Sequence, residues 1–341
     1  MAWQPRPSAA ARALQPLAWL MGLLAALHRA WWQRVRRPTR LPVPVVVVGN
    51  LVVGGSGKTP VVIAVVQALR AAGWTPGVVS RGYGRTSGDA ARLATTGVGA
   101  DEIGDEPVLI QRRTGAALAV GARRVDAARL LLARHPEVDL IVSDDGLQHH
   151  ALAHDLAIVV FDDRGAGNGL GLPAGPLREP LPAAVPRQWL VLYTGRAGAS
   201  TPLPGTLATL QAGRAVALEQ WRGGRADIDG KPLESLRSVD RHGRPPLLAL
   251  AGIGHPSKFF ATLTSAGLHF TPQPMPDHAH YERAPWPDGT SDVVTTEKDA
   301  VKLASLNRGA TRVWVVPLDL TLPSAFVTDL LHRLPPRRKP A

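Results

Sequence analysis

The 341-residue chain contains no cysteine. Disulfides, thiolate nucleophiles and cysteine-held zinc or iron–sulfur sites are therefore excluded, and any catalysis must use oxygen and nitrogen groups; a reducing compartment fits. Lysine is scarce, with six in the whole chain, so a lysine inside a motif is not surface filler. Acids are missing from residues 1–40, which carry Arg6, Arg12, Arg29, Arg34, Arg36, Arg37 and Arg40, while Arg333, Arg337, Arg338 and Lys339 crowd the other end. Those two ends hold nearly all of the net charge of +12. The body between them is close to neutral, so a basic channel for nucleic acid is not expected.

A bilayer-spanning stretch near the start is also lacking. The apolar run Leu17–Leu27, "LAWLMGLLAAL", stops after 11 residues, whereas a spanning helix needs about 20. A cleaved leader fits poorly, because the preceding basic region is weak, no small-x-small site follows, and a valine-rich strand begins soon after. Trp31, Trp32 and arginines follow the run, which suits a helix lying in the membrane interface, with rings at headgroup level and cations toward anionic lipid. The alternative is a helix packed on its own domain.

What is present is an α/β pattern. "VPVVVV", "TPGVVS", "VDLIVS" and "DLAIVVF" read as strands buried on both faces, and "TPVVIAVVQALRAAG" and "ARRVDAARLLLARH" as the helices between them. With 45% hydrophobic residues the chain can bury two lobes. The expected organisation is an N-terminal helix with basic flank (1–40), a core with a parallel sheet of the P-loop NTPase type (41–200), a connector with a hairpin at "DIDGKPL" (201–243), a smaller C-terminal α/β lobe (244–334) and a basic tail (335–341).

In "VPVVVVGNLVVGGSGKTPVV" a strand runs into Gly54, Gly55, Ser56 and Gly57, then Lys58, Thr59 and Pro60 at the head of a helix. Such a loop points backbone N–H groups and the positive helix end at a phosphate. Lys58 would reach the β/γ-phosphates of a nucleotide, and the Thr59 hydroxyl would ligate magnesium. The strict P-loop pattern is not met, since Val52 stands where its first glycine should be. "VDLIVSDDGLQHH" ends a strand in Asp144 and Asp145, two carboxylates able to hold a hard cation; capping and Asp-Gly turn formation is the competing reading. "FDD", Phe161–Asp163, is a weaker rival.

Eight motifs in order carry a resemblance: "GNLVVGGSGKTP", "SRGYGR", "GDEP", "VGARRVDAA", "DDGLQHH", "LPAGPLREP", "PDHAHY" and "TTEKDAVKL". Together, over about residues 12–330, the chain resembles the tetraacyldisaccharide 4′-kinase family of lipid A biosynthesis, in which the first loop glycine is also missing. The resemblance implies transfer of the ATP γ-phosphate to the 4′-hydroxyl of an acylated disaccharide 1-phosphate, giving lipid IVA, with Mg2+, at the cytoplasmic face of the inner membrane and without an obligate protein partner.

It also implies roles. Asp105 in "GDEP" matches the catalytic aspartate and His278 in "PDH" its partner across the cleft, a pairing that lobe closure would bring together. Without the family, Asp105 is an ordinary helix cap and His278 one histidine among 11. Glu179 and the Asp144–Asp145 pair match residues around magnesium, Gln148, His149 and Arg124 lie near sugar or phosphate, and Arg81 suits bidentate phosphate recognition. Lys298 sits in "TTEKDA", which lacks the N-K-x-D order of a guanine-specificity motif. A P-loop switch or metallochaperone-type NTPase, releasing inorganic phosphate, is the alternative function.

Overall fold

The computed structural model describes residues 7–55, 57–86, 88–95, 97–195, 198–223, 230–236 and 247–337. Helices α1 (Ala9–Ala13) and α2 (Gln15–Trp31) come first, and a π-type turn at Trp32–Arg36 closes the N-terminal segment. The chain then enters β1 (Val45–Gly49), α3 (Lys58–Ala71), β2 (Pro76–Ser80), β3 (Arg92–Leu93), α4 (Ala100–Ile103), α5 (Asp105–Thr114), β4 (Leu118–Val120), α6 (Arg124–Arg134), β5 (Leu140–Asp144), β6 (Leu156–Phe161) and β7 (Trp189–Tyr193).

With β8 (Thr206–Leu207) these strands form an eight-stranded sheet ordered β3-β4-β2-β5-β1-β6-β7-β8. Every neighbouring pair is parallel except β3 with β4 at the edge. The valine run of β1 explains its central place, because a strand covered by helices on both faces can be apolar at every position. Side chains alternate between faces: Val46 and Val48 pack in one cluster with Val61, Val62, Val65 and Val66 of α3, while Val45 and Val47 join Val125, Ala128 and Leu131 of α6 in another. Parallel strands put their C-terminal ends on one edge, so Gly49, Ser80, Val120, Asp144 and Phe161 line up there. β1 lies between β5 and β6, the point where the winding reverses and where open α/β sheets bind ligands.

The remaining elements are β9 (Thr209–Ala212), β10 (Val216–Ala217), α7 (Leu218–Arg222), β11 (Leu247–Ala251), α8 (Pro256–Ser265), β12 (Phe270–Pro274), β13 (Asp292–Thr296), α9 (Glu297–Leu303), β14 (Arg312–Val316), β15 (Leu318–Thr321) and α10 (Ser324–Arg333). A five-stranded sheet, β10-β14-β13-β11-β12, is parallel but for β10. β9 and β15 pair separately as an antiparallel ribbon. The stretch read as a connector thus places one short strand in each of the three sheets. Of "DIDGKPL", residues 227–229 lie outside the described residues; Lys231 pairs with Ala215 in an antiparallel bridge.

Helix α2 departs from the burial seen elsewhere. Ala18 is its one buried residue, while Trp19 is 68% exposed and Leu23, Leu24 and Leu27 are each 57% exposed. Arg29 ties the helix to the core through an ion pair with Glu179, Nη2 to Oε2 2.9 Å. Trp32 donates its indole N–H to His28, and the Arg36 guanidinium lies over the Trp31 ring. Among the described residues no helix is long and apolar enough to cross a membrane.

Candidate active site

The end of the site expected to hold phosphate is built where β1 gives way to α3. Gly57 caps α3 at φ 70°, a left-handed conformation that glycine adopts without a Cβ penalty. Lys58, Thr59 and Pro60 are the first three residues of the helix, and Gly54 and Gly55 precede it; Ser56 lies outside the described residues. Lys58 Nζ stands 3.6 Å from Asp145 Oδ1 and 3.5 Å from Asn50 Oδ1. The β1 loop and the end of β5 therefore face each other across neighbouring strands.

Asp144 and Asp145 occupy different environments. Asp144 is 2% exposed; Ser80 donates to its Oδ2 at 2.9 Å, and Oδ1 has no partner. Burial, together with the charges of Glu106 and Asp145, pushes its carboxyl up to about 7 against the pull of Lys58 and Ser80. Asp145 has φ 47° and meets Lys58 and, at 3.3 Å, Arg178 Nη1. A non-glycine residue held there is characteristic of functional loops.

Cations and amides surround these acids. Arg178 also donates to Gln148 Oε1 at 3.2 Å, and Gln148 donates to the Asn50 carbonyl at 3.2 Å. Arg124 is 5% exposed, reaches the Asp145 carbonyl at 3.4 Å, and leaves Nε unpaired. Burial lowers its guanidinium while Asp144 and Asp145 pull the other way. His149 is pushed down to about 4 by burial and by Arg124, His150 and Arg81, and its buried Nε2 has no partner. Arg81, exposed just beyond β2, is close enough for its charge to be felt at both Arg124 and His149. Glu179 is 9% exposed and turned to Arg29.

The second end is built on the start of α5. Gly104, φ 94°, precedes it, and a Cβ there would come within 2.7 Å of the Tyr83 carbonyl, so the "GDEP" and "SRGYGR" loops approach this closely only because the position is glycine. Asp105, 5% exposed, accepts from the Glu106 backbone N–H at 2.9 Å. Its Oδ2 lies 3.2 Å from His278 Nδ1, and the Tyr83 ring packs on that imidazole with centroids 4.8 Å apart. The pair already touches, so no further closure is needed to join it. Burial by itself would raise the Asp105 carboxyl, but the His278 hydrogen bond and the Lys298 charge outweigh it and hold the carboxyl below its usual range. His278 is raised, chiefly by its bond to Asp105.

Arg178, Asn50 and Lys298 were not picked out as site residues from sequence. Each lies inside a motif quoted above; Arg178 and Asn50 were passed over for neighbouring residues, and Lys298 was weighed only against a guanine-specificity motif.

A family model described as tetraacyldisaccharide-1-P 4′-kinase matches residues 10–335. The chain belongs to this family. Tetraacyldisaccharide 4′-kinase of Leptothrix cholodnii is 47% identical over 331 residues, covering 96% of this chain and 92% of that protein. The enzyme of the same name from Methylibium petroleiphilum is 48% identical over 336 residues, covering 96% and 91%. Among solved structures, LpxK from Aquifex aeolicus, an "apo" form described as in complex with ATP, superposes with a TM-score of 0.73 at 23% identity, covering 96% of this chain and all of that one. The shared fold is the P-loop-like α/β architecture described above. A member of this tetraacyldisaccharide-1-P 4′-kinase family is a phosphotransferase acting on an alcohol, a lipid A 4′-kinase rather than an NTPase switch.

Proposed function

We propose that this kinase transfers the ATP γ-phosphate to the 4′-hydroxyl of a membrane-held tetraacyldisaccharide 1-phosphate through the two ends of this site. The observation that carries the reading is the 3.2 Å contact between Asp105 and His278, with the charges of the neighbouring Glu106 and of Lys58 both felt at Asp144. Asp105 Oδ takes the 4′-hydroxyl proton as that oxygen bonds to γ-phosphorus and the bond to the departing ADP oxygen breaks. Lys58 and the N–H groups at the start of α3 offset the phosphate charge. Arg81, Arg124, Arg178, Gln148 and His149 supply donors for sugar and phosphate oxygens.

Among the described residues no group of three or more His, Asp or Glu is arranged to hold a metal alone. Magnesium does not require one, since it is commonly held by one or two carboxylates together with substrate phosphates. The partnerless Asp144 Oδ1, beside Asp145 and near the head of α3, suits that ion, with Asp144, Asp145 and the Thr59 hydroxyl as its protein ligands. When bound it would neutralise phosphate charge. Glu179, held by Arg29, would then link the N-terminal helix to the acceptor side rather than serve as a direct ligand.

The exposed leucines and Trp19 of α2 support a peripheral seat on the cytoplasmic face of the inner membrane, where the acyl chains of the acceptor reside. Incubation with γ-labelled ATP and acceptor, followed by thin-layer separation, tests the reaction. Label in the lipid, lost in Asp105→Ala, is the expected result; label appearing only as inorganic phosphate would overturn it.

A further inference from the structure

We propose that Asp162 is a positioning residue for the glycine-rich loop: through Arg164 it braces the loop at Gly54 and Gly55, and Lys258 makes that brace depend on the second sheet. This rests on the reading of that loop as the seat of the ATP phosphates.

Asp162 directly follows β6, the strand beside β1, so the first sheet sets it next to the loop that leaves β1. The sequence offers it as a rival metal carboxylate, but both of its oxygens meet cations of the protein itself. Arg164 donates from Nε to Oδ1 and Oδ2, each at 3.0 Å, and from its backbone N–H to Oδ1 at 3.0 Å. Lys258 Nζ donates to Oδ2 at 3.0 Å. The backbone of Asp162 is held as well, since its carbonyl accepts from the Ser200 hydroxyl at 2.6 Å and from the Gly165 N–H at 3.0 Å. Burial by itself would raise the Asp162 carboxyl, but the bonds from Arg164 and Lys258 outweigh it and hold the carboxyl below its usual range.

Anchored at Nε, the Arg164 guanidinium turns its Nη atoms to the loop. Nη2 donates to the Gly55 carbonyl at 2.8 Å, and Nη1 lies so near Gly54 that a Cβ there would come within 3.2 Å of it. A guanidinium is planar, with its donors in a fixed fork. Tying one edge to a buried carboxylate therefore fixes where the other edge holds the loop. Gly54 and Gly55 are exposed, and glycine has more backbone freedom to lose on ordering than any other residue, so an external brace reduces the freedom that ATP must otherwise remove.

The remaining support comes from the second sheet. Lys258 is the third residue of α8, where the helix dipole disfavours a cation, and its ammonium reaches Asp162, with Asp163 Oδ2 more distant at 3.9 Å. The loop between β11 and α8 approaches the same place: a Cβ on Gly254 would lie 3.6 Å from the Gly55 N and 3.7 Å from its Cα. Exposed ion pairs contribute little. The Asp162 side chain is 8% exposed and that of Lys258 49%, so losing the carboxylate should matter more than losing the ammonium.

A brace and a bare charge predict opposite signs for Asp162→Asn. The change removes a negative charge beside the phosphates, which by electrostatics alone would tighten ATP, whereas loss of the brace loosens it. Titration calorimetry of the full chain with ATP and magnesium, alongside steady-state kinetics and melting curves, separates the two. Asp162→Asn should raise Kd and KM for ATP roughly tenfold, the scale of one charge-assisted hydrogen bond, and raise KM by more than it lowers kcat. Lys258→Met should weaken ATP roughly threefold, and Lys258→Arg should restore it. The double variant should bind ATP no worse than Asp162→Asn by itself, because both act through one carboxylate. A folded Asp162→Asn that binds ATP as well as or better than the wild type overturns the proposal. Should that variant fail to fold, Lys258→Met decides: a lowered Tm with unchanged ATP affinity makes the tie merely structural and overturns it too. Undiminished ATP binding in Lys58→Ala would instead overturn the loop reading on which the proposal stands.

Discussion

The two ends of the site are finished to different degrees. At the phosphate end, Asp144 Oδ1, Arg124 Nε and His149 Nε2 are buried with no partner in the protein. At the acceptor end, Asp105, Glu106, Asp277, His278 and Lys298 satisfy one another. Burying an unpaired polar atom costs about 1–3 kcal/mol, which under the proposed function a bound ligand would repay. A base, by contrast, must hold its protonation state and direction before the hydroxyl arrives, which requires its partners to be internal.

The largest break in this comparison is expected from Lys58→Ala. It removes the ammonium carried by the first residue of α3 and should lower kcat by roughly two decades or more with the fold intact. Steady-state kinetics with a melting curve checks this, and near-normal kcat in a folded variant would refute the loop assignment.

Next come Asp105→Ala and His278→Ala. Because the two touch, each should be severe, and the double variant should cost much less than the product of the single losses. Multiplicative losses would mean that the acceptor end is not one unit.

A third test concerns α2, whose leucines join neither end. Replacing Leu20, Leu23, Leu24 and Leu27 by serine should weaken vesicle binding at least about tenfold, with kcat/KM falling more on membrane-presented than on detergent-dispersed acceptor. A lowered Tm with equal losses in both assays would instead assign the helix to packing.

The smallest effect is a pH dependence at the phosphate end. His149 is displaced from 6.5 to about 4, so as pH falls the unfolded chain binds the proton first. The stability contributed by the neutral ring is complete above the unfolded value and is lost between 6.5 and 4. His149→Gln should therefore lose less Tm than the wild type across that window, and parallel Tm-versus-pH curves would contradict the burial argument.

The parallel sheet was legible because a strand covered on both faces must be apolar throughout, as β1 and β6 are. The phosphate loop was legible for a similar reason: its glycines, Lys58 and Thr59 are consecutive, so the chemistry is written in one stretch. Asp144 and Asp145 could be placed at a strand end, but sequence did not distinguish the buried, protonation-prone member from the one that meets Lys58 and Arg178. Arg178 gave no periodic signal, since its role depends on a loop folding back over the strand ends.

Sequence alone thus determined which segments are strands and helices and where the glycine-rich loop meets a helix head, because those properties depend on residues within a few positions of one another. Resemblance to relatives named Asp105 and His278, but nothing in their own surroundings set them apart from a cap and a surface histidine. Only the tertiary structure decided the acceptor end. It brings residues 105, 278 and 298 together from a helix start on the first sheet and from a loop and a helix start on the second. The proton positions of an aspartate, a histidine and a lysine depend on distances of a few ångströms between them, and sequence separation carries no information about such distances.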